Sequence, residues 1–319
     1  MSRILLKGVS FFLIKRIFLF SAPLFIFLCI IELKIRKIPN AYKVKRDYFE
    51  KSIDSIELLV LGNSHMVHGV DPDYLSLKAF NLASGSQSYF YDNAITLNYL
   101  HRLKKLKAVI IPVDYFSFYY RLQDIADWLD FGYYKFWNIR YPGLSYWDSR
   151  NYFYFMLYTP ANSFKYFLKS KNFSLAWGMK PNGFTPNNSK GSESNINEFT
   201  GKTRVQFHNH MIRFERQSES LSSLEELIRE LSKNRIKVFL VESPVCSTYS
   251  KYCDTAILSK NFTIINNLVE KYNCSYKSYF TDKRFSISDF ADNDHLNVEG
   301  ARKFSTIIDV ELLHSNLKK

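Results

Sequence analysis

The chain has few cysteines, and after its first forty residues it has no long apolar run. The four cysteines do not have the spacing of a metal site, so no metal is expected. Cys246 and Cys253 are close enough in sequence to close a loop disulfide outside the cytosol, but unpaired thiols fit the sequence equally well. No internal repeat is visible. The lack of a second apolar run favours a single-pass protein.

The composition excludes a largely disordered chain. With 319 residues, 46% apolar and 17% aromatic, the protein can bury a full core as one large domain or as one domain with an insertion. The net charge of +13 is concentrated near the N-terminus, where residues 1–50 carry ten Lys or Arg and three Asp or Glu, a net charge of +7. Because this excess flanks an apolar segment, it favours a membrane surface over nucleic acid as the partner.

The apolar segment at residues 17–31 predicts a membrane anchor. With residues 10–14 it approaches the ~20 residues that a spanning helix needs. A cleaved signal peptide would have a similar apolar stretch, but no small-x-small cleavage site follows. We therefore predict a cytoplasmic tail and transmembrane anchor in residues 1–37, a basic linker in 38–54 and a large extracytoplasmic domain in 55–319.

The rest of the chain alternates between strand and helix patterns. Short apolar runs predict strands, and apolar residues three and four apart predict helices. Such alternation is typical of an α/β fold with a mostly parallel sheet covered by helices on both faces. Strands are expected at 56–61, 80–83, 107–113, 236–241 and 275–279, and helices at 87–103, 222–233, 257–272 and 298–313.

Residues 115–220 interrupt this alternation and are interpreted as an insertion. They contain aromatic clusters at 115–120 and 152–155, which are expected in the core or, alternatively, stacked on sugar rings. A polar stretch at 181–203 predicts a flexible loop. His208 and His210 are expected to be a surface pair, because no carboxylate lies at ligand spacing beside them.

Chemically useful residues follow the predicted strands. In an open parallel sheet, functional groups gather beyond the carboxyl ends of the strands, so these residues are expected at one edge. A serine, a histidine and a carboxylate there could activate a hydroxyl for acyl transfer. The candidates after the strands are Ser64, Gly85, Asp114 and Glu242, and Asp292 and His295 precede the last helix.

These residues resemble the sequence blocks of the SGNH (GDSL-like) hydrolases. Gly62, Asn63 and Ser64 match the nucleophile block, residues 81–85 the second block, and Asp292-x-x-His295 the last block. The stretch 61–72 is most similar to membrane-anchored extracytoplasmic members, which include the teichoic-acid D-alanine transfer protein and the alginate O-acetylation proteins. The resemblance covers roughly residues 55–115 and 235–315 and implies a flavodoxin-like three-layer fold.

The resemblance also implies catalytic roles. Ser64 would attack an acyl carbonyl, His295 would take its proton, and Asp292 would orient the imidazole, with Asp294 as the alternative acid. The backbone N–H groups of Ser64 and Gly85 would bind the oxyanion.

The third block departs from the family pattern. A Gly-x-Asn-Asp is expected after the third strand, but the chain reads Pro-Val-Asp at 112–114, so the side-chain oxyanion donor is missing. Asp114 cannot replace it while ionised, and His65 or His68 would be the alternative donors. Asp114 and Glu242 are retained as candidates for substrate binding.

The expected function is transfer of an acyl group to hydroxyls of an envelope polysaccharide by a serine enzyme of the bacterial cytoplasmic membrane. Some related proteins receive the acyl group from a multi-pass membrane acyltransferase, so the resemblance implies such a partner. No cofactor is expected. An extracytoplasmic carbohydrate esterase is the nearest alternative, and an inactive scaffold or glycan-binding subunit is the second.

Overall fold

The computed structural model describes residues 2–169, 174–176 and 178–315. The chain divides into two compact units. The first unit comprises Met1–Asn40 and Pro142–Leu175, and the second comprises Ala41–Tyr141 and Ala176–Lys319. The predicted insertion is therefore split, because only its middle third belongs to the first unit.

The second unit is built on a five-stranded parallel sheet, which confirms the predicted α/β fold. The strand order is β2-β1-β3-β4-β5, the flavodoxin-like order. The central strands β1 and β3 are buried along their whole length, as expected for a sheet covered on both faces. The strands are β1 (Leu58–Val60), β2 (Ala79–Asn81), β3 (Ala108–Pro112), β4 (Lys237–Glu242) and β5 (Ser275–Ser278).

Helices in the described residues include all four that the apolar spacing predicts. They are α1 (Ser2–Arg36), α2 (Ala41–Ser52), α3 (Ser64–Gly69), α4 (Tyr89–Leu100), α5 (Gln123–Ala126), α6 (Asp130–Trp137), α7 (Pro160–Lys169), α8 (Glu198–Met211), α9 (Gln217–Lys233), α10 (Ser247–Ser250), α11 (Thr255–Tyr272) and α12 (Val298–Ile308). A π-helical turn, Asp309–His314, continues α12.

The segment predicted as a basic linker is a helix over most of its length. Residues 41–52 form α2, and its Lys45 and Phe49 are four residues apart, lie on one face and are buried. The high charge of this segment suggested a solvated linker, but the helix places its remaining charges on other faces. Lys43, for example, is exposed and forms an ion pair with Asp47 at 2.5 Å.

The polar stretch at 181–203 is not a simple flexible loop. Its first part packs beside β2, where the N–H of Asn81 donates to the carbonyl of Asn182 at 2.8 Å. Gly183 has a φ of +85°, and a Cβ there would lie 2.1 Å from the carbonyl oxygen of Asn81. The stretch then enters α8, which begins with a capping box between Asn197 and Thr200.

The first unit contains a helix that is long and apolar enough to cross a membrane. The most apolar 18-residue window within residues 13–36 of α1 has a mean hydropathy of 2.2, and most side chains of this stretch are exposed. The backbone N–H groups of Tyr154 and Phe155 both donate to Glu32 at 3.0 Å, so the aromatic segment packs against the end of this helix. Of the two aromatic clusters, residues 115–120 are buried, whereas 152–155 are partly exposed.

Each cysteine is a free thiol. Cys246 and Cys253, the pair considered for a disulfide, are both buried and unbridged. Burial raises the pKa of the Cys253 thiol to about 12.

Candidate active site

The first strand ends in a turn that only glycine can form. Gly62 has a φ of +109°, and a Cβ at this position would lie 2.1 Å from Cγ of Pro112. The turn directs the chain away from the sheet and into α3, whose first residue is Ser64. Asn63 caps this helix by accepting a hydrogen bond from the N–H of His65 at 2.9 Å.

The segment after β2 runs parallel to this turn. The N–H of Leu82 donates to the carbonyl of Val60 at 2.7 Å, and that of Ser84 to the carbonyl of Gly62 at 2.9 Å. The parallel pairing therefore continues past the two strands and brings Gly85 level with Ser64.

Ser64, His295 and Asp292 meet in a hydrogen-bonded chain. Nε2 of His295 lies 2.8 Å from Oγ of Ser64, and Nδ1 lies 2.9 and 3.0 Å from the two carboxylate oxygens of Asp292. Because a carboxylate can only accept, Nδ1 carries the proton and Nε2 presents a lone pair to the serine hydroxyl. This is the geometry that a serine nucleophile and its general base require.

Asp294, the alternative acid, lies farther from the imidazole. Its Oδ1 is 3.6 Å from Nδ1 of His295, and its carboxylate is fully buried beneath the site. There it binds Arg204 at 2.7 Å and His65 at 3.0 Å. Asp292, by contrast, is half-exposed and bonded to His295. The two carboxylates therefore have different environments, and Asp292 is the one that contacts the imidazole.

Two backbone N–H groups at this turn, those of Ser64 and Gly85, have no acceptor among the residues that the structure describes. The N–H of Ser64 is the first of α3 and has no partner within the helix. Gly85 lies in the turn Ser84–Gln87, which the N–H of Gln87 closes by donating to the carbonyl of Ser84 at 3.1 Å. The N–H of Gly85 has no acceptor in the part of the chain that the structure describes, and the space above its Cα is open. A carbonyl oxygen could occupy this position.

Asp114 and Glu242, the two substrate-binding candidates, are buried and bound to protein groups. Asp114 is 3% exposed; it accepts hydrogen bonds from Asn63 at 3.1 Å and from the N–H of Ser243 at 3.0 Å. Glu242 is 8% exposed and accepts from Ser278 at 2.6 Å and Tyr276 at 3.1 Å. Burial raises the pKa of Glu242 to about 7.

His65 lies between two buried carboxylates. Its Nε2 is hydrogen-bonded to Asp294 at 3.0 Å, and its Nδ1 lies 3.0 Å from Asp114 without the alignment of a hydrogen bond. Burial opposes the charged imidazole, but the two carboxylates outweigh burial and raise the pKa of His65 to about 10. His65 is therefore a cation at neutral pH. It links the nucleophile helix to the loop that carries His295.

His208 was predicted to lie at the surface, and this is wrong. It is 2% exposed, and its Nδ1 contacts the hydroxyl of Tyr249 at 2.5 Å. Burial holds the pKa of His208 well below its usual value, so the ring is neutral. Its neighbour His210 is exposed, as predicted. On a helix, residues two apart face different directions, and only His208 faces the buried groups around Asp294 and Tyr249.

His68 is also fixed by the fold. Its Nδ1 donates to the carbonyl of Thr185 at 2.8 Å, and burial lowers the pKa of His68 to about 4. The ring is therefore neutral, and its one N–H is already used, so it cannot donate to an oxyanion.

One group in the site has the composition of a metal site. His65, Asp294 and His295 each offer a ligand atom, and these atoms lie within 4.8 Å of one another. All three are engaged with protein partners: His65 and Asp294 pair with each other, and His295 binds Ser64 and Asp292. A metal would have to displace these bonds, so the absence of a metal remains a prediction.

Comparisons with known proteins add little to this geometry. No family model matches the chain, and no curated protein matches it. Among solved structures, a candidate acylhydrolase from Bacteroides fragilis is similar over 84% of this chain and 95% of its own, with 9% identity and a TM-score of 0.40. At these values the similarity carries no argument about activity, which has to rest on the site itself.

The sequence did not predict the roles of three charged residues in the site. Arg204 reaches Asp294 from α8, His65 bridges Asp114 and Asp294, and Lys45 reaches the turn after β2 from α2. Only His65 had a signal, because it directly follows the candidate nucleophile and Asp114 follows the neighbouring strand β3.

Proposed function

We propose that this chain is a serine-dependent acyl-transfer enzyme that modifies hydroxyl groups of an envelope polysaccharide outside the cytoplasmic membrane. One observation carries the proposal: the hydroxyl of Ser64 lies 2.8 Å from Nε2 of His295, whose Nδ1 is bound by Asp292. The anchor and the resemblance to envelope-modifying proteins support the choice of substrate.

The reaction has two halves. The Ser64 Oγ–H bond breaks as Oγ bonds to the acyl carbon, and the proton passes to Nε2 of His295. The resulting imidazolium gives this proton to the leaving group when the bond between acyl carbon and leaving group breaks. An acceptor hydroxyl then attacks the acyl-serine, gives its proton to His295 and takes the acyl group, and Oγ of Ser64 recovers a proton. Asp292 stabilises the imidazolium in both halves.

A groove beside the triad supports a sugar acceptor. It encloses about 420 Å³ and is bordered by Asp292, Asn293 and one face of α8. Phe199 and Phe207 stand on that face with 78% and 51% of their area exposed. The guanidinium of Arg204 lies 5.1 Å from the ring centre of Phe207. Exposed aromatic rings interspersed with hydrogen-bonding groups are suited to the apolar face and hydroxyls of a sugar.

The donor side of the reaction rests on the resemblance alone. Some relatives of this type receive the acyl group from a multi-pass membrane acyltransferase, and we propose a partner of this kind. Without an acceptor sugar, water could attack the acyl-serine, and the same residues would then act as an esterase.

The first prediction concerns the nucleophile. A fluorophosphonate probe should label the full-length protein in detergent at Ser64, because His295 activates this hydroxyl, and peptide mass spectrometry would locate the label. Ser64→Ala should abolish labelling, while Ser259→Ala, an exposed serine on α11, should leave it unchanged. An unlabelled wild-type protein would instead support an inactive scaffold or glycan-binding subunit.

Transfer and hydrolysis can be separated in the same preparation. With 4-nitrophenyl acetate as donor and a soluble oligosaccharide as acceptor, a transferase should form acetylated sugar, whereas an esterase should release only acetate. Ser64→Ala should remove both products. Acetate without acetylated sugar at high acceptor concentration would favour the esterase.

A further inference from the structure

Lys45 is a buried cation that has no carboxylate partner. It lies on α2, is 4% exposed, and has no Asp or Glu oxygen within 4.0 Å of its Nζ in the described residues. Burial lowers the pKa of its ammonium to about 7. An unpaired lysine is unfavourable inside a protein, and helix formation alone gives no reason for one at this position.

Its one hydrogen-bond partner among the described residues belongs to the turn that faces the nucleophile. Nζ of Lys45 donates to the carbonyl oxygen of Ala83. The N–H of Ala83 donates to the side chain of Asn81 at 3.1 Å, and the N–H of Ser84 donates to Gly62 at 2.9 Å. The lysine therefore holds the peptide that precedes the open N–H of Gly85.

The charge of Lys45 also reaches the surroundings of the catalytic histidine. Burial is the main cause of the low pKa of His68, followed by the charge of His295 and then that of Lys45. The ring centre of His68 lies 5.9 Å from that of His295. The lysine thus contacts the segment before Gly85, and its charge acts on His68.

We infer that Lys45 is the electrostatic positioning residue of the oxyanion pocket, which binds the acyl oxygen between the N–H groups of Ser64 and Gly85. The inference rests on the proposed function and explains how the site works without the Asn of the third block. The ammonium fixes the turn through Ala83, and its field favours the negative charge that develops on the acyl oxygen. The buried cation, which is unfavourable in the resting protein, stabilises the anionic transition state.

The test compares neutral variants of Lys45 with a matched lysine on the same helix. Lys45→Met removes both the charge and the hydrogen bond, Lys45→Gln removes the charge but keeps a donor for Ala83, and Lys43→Met removes an exposed lysine. Turnover of 4-nitrophenyl acetate is measured with the full-length protein in detergent. Both Lys45 variants should lose roughly 10- to 100-fold in kcat with little change in KM, since the lost interaction belongs to the transition state. Lys43→Met should match wild type.

The pH dependence gives a readout that a purely structural role would not change. Because Lys45 must be charged to act, wild-type kcat/KM should fall as the pH rises above about 7, and Lys45→Met should lack this decline. Burial also raises the pKa of Asp92 to about 7. If Asp92 caused the decline in kcat/KM, the decline would persist in Lys45→Met. α6, which packs against α2, carries Asp130, Tyr133, Tyr134 and Lys135. The charges of His295 and Asp292 act on the same His68 ring as that of Lys45.

Stability distinguishes loss of function from loss of folding. Lys45→Met should melt at the same temperature as wild type or higher, because a buried charge is removed. Wild-type activity and pH profile in both Lys45 variants would overturn the inference and leave the proposed function intact. Full activity in Lys45→Gln alone would overturn the electrostatic role. A wild-type protein that neither reacts with fluorophosphonate nor turns over would overturn both.

Discussion

At the scale of single residues, the site rests on a buried group of balanced charges. His65 and Arg204 are the cations, and Asp114 and Asp294 are the anions. Burial alone would raise the pKa of Asp294, but His295, His65 and Arg204 hold it well below its usual value. The two carboxylates in turn keep His65 charged. Removal of a cation or an anion from this group would leave an oppositely charged neighbour buried without its partner. These residues therefore stabilise the structure around the triad.

Stability should therefore depend on pH through His65. The unfolded histidine loses its proton near pH 6.5, whereas the folded one keeps it up to about 10. Between these values the folded state binds one more proton, so its stability falls as the pH rises, by up to about 1.4 kcal/mol per pH unit. The contribution is complete below pH 6.5 and lost above about 10. Melting curves of wild type and His65→Gln at pH 6, 7, 8 and 9 should therefore converge.

The control for this measurement is His210→Gln, because His210 is exposed on α8. Its melting temperature should run parallel to that of wild type. A constant difference between wild type and His65→Gln across the pH range would show that His65 is neutral when folded, contrary to the prediction.

The site residues that could be inferred from the sequence are those that lie in a recognisable local sequence pattern. Ser64 follows an apolar strand and a glycine, and Asp292 stands three residues before His295. Lys45, Arg204 and His208 had no such signal, since their partners lie 38 or more positions away and local polarity suggested solvent. A buried polar contact between distant segments leaves no periodicity in either segment.

At the scale of elements, α8 shows why the insertion was misread in part. Its buried face carries Gly201, Val205 and His208, whereas Phe199 and Phe207 are exposed. Large apolar residues therefore lie on the exposed face and small or polar residues on the buried face. The usual amphipathic pattern is absent, so it does not predict the helix. Gly201 allows close packing, because a Cβ there would lie 2.0 Å from the carbonyl of Thr248 on α10.

The exposed phenylalanines of α8 should act on the acceptor and not on the acyl group. The double variant Phe199→Ala/Phe207→Ala should raise KM for an oligosaccharide acceptor roughly tenfold, because aromatic contacts with the sugar are lost. Hydrolysis of 4-nitrophenyl acetate, which needs only the triad and the oxyanion pocket, should be unchanged. Phe262→Ala, which removes another exposed ring, on α11, is the control. Equal loss in both reactions would mean that α8 only supports the fold.

At the scale of the whole molecule, the class of fold was predictable but the division into units was not. The strands β1 to β4 each contain a short apolar run, and the right-handed crossover rule leaves few arrangements for such a chain. No sequence pattern predicts that residues 142–175 pack against the N-terminal helix. It depends on single contacts such as that between Phe27 and Phe167, whose ring centres are 6.1 Å apart.

The last prediction concerns the side of the membrane on which the catalytic unit lies. If α1 spans the cytoplasmic membrane with its N-terminus inside, the described surface of the second unit faces outward. Lys233→Cys places a thiol at the end of α9, where the lysine side chain is 60% exposed, and Cys29→Ser removes the exposed native thiol. The other three cysteines are buried and should give little background. A membrane-impermeant maleimide should label this variant in intact spheroplasts, and the parent with Cys29→Ser alone should stay unlabelled. Labelling that requires lysis would place the unit in the cytoplasm, where it could not reach an envelope polysaccharide, and would contradict both the topology and the proposed substrate.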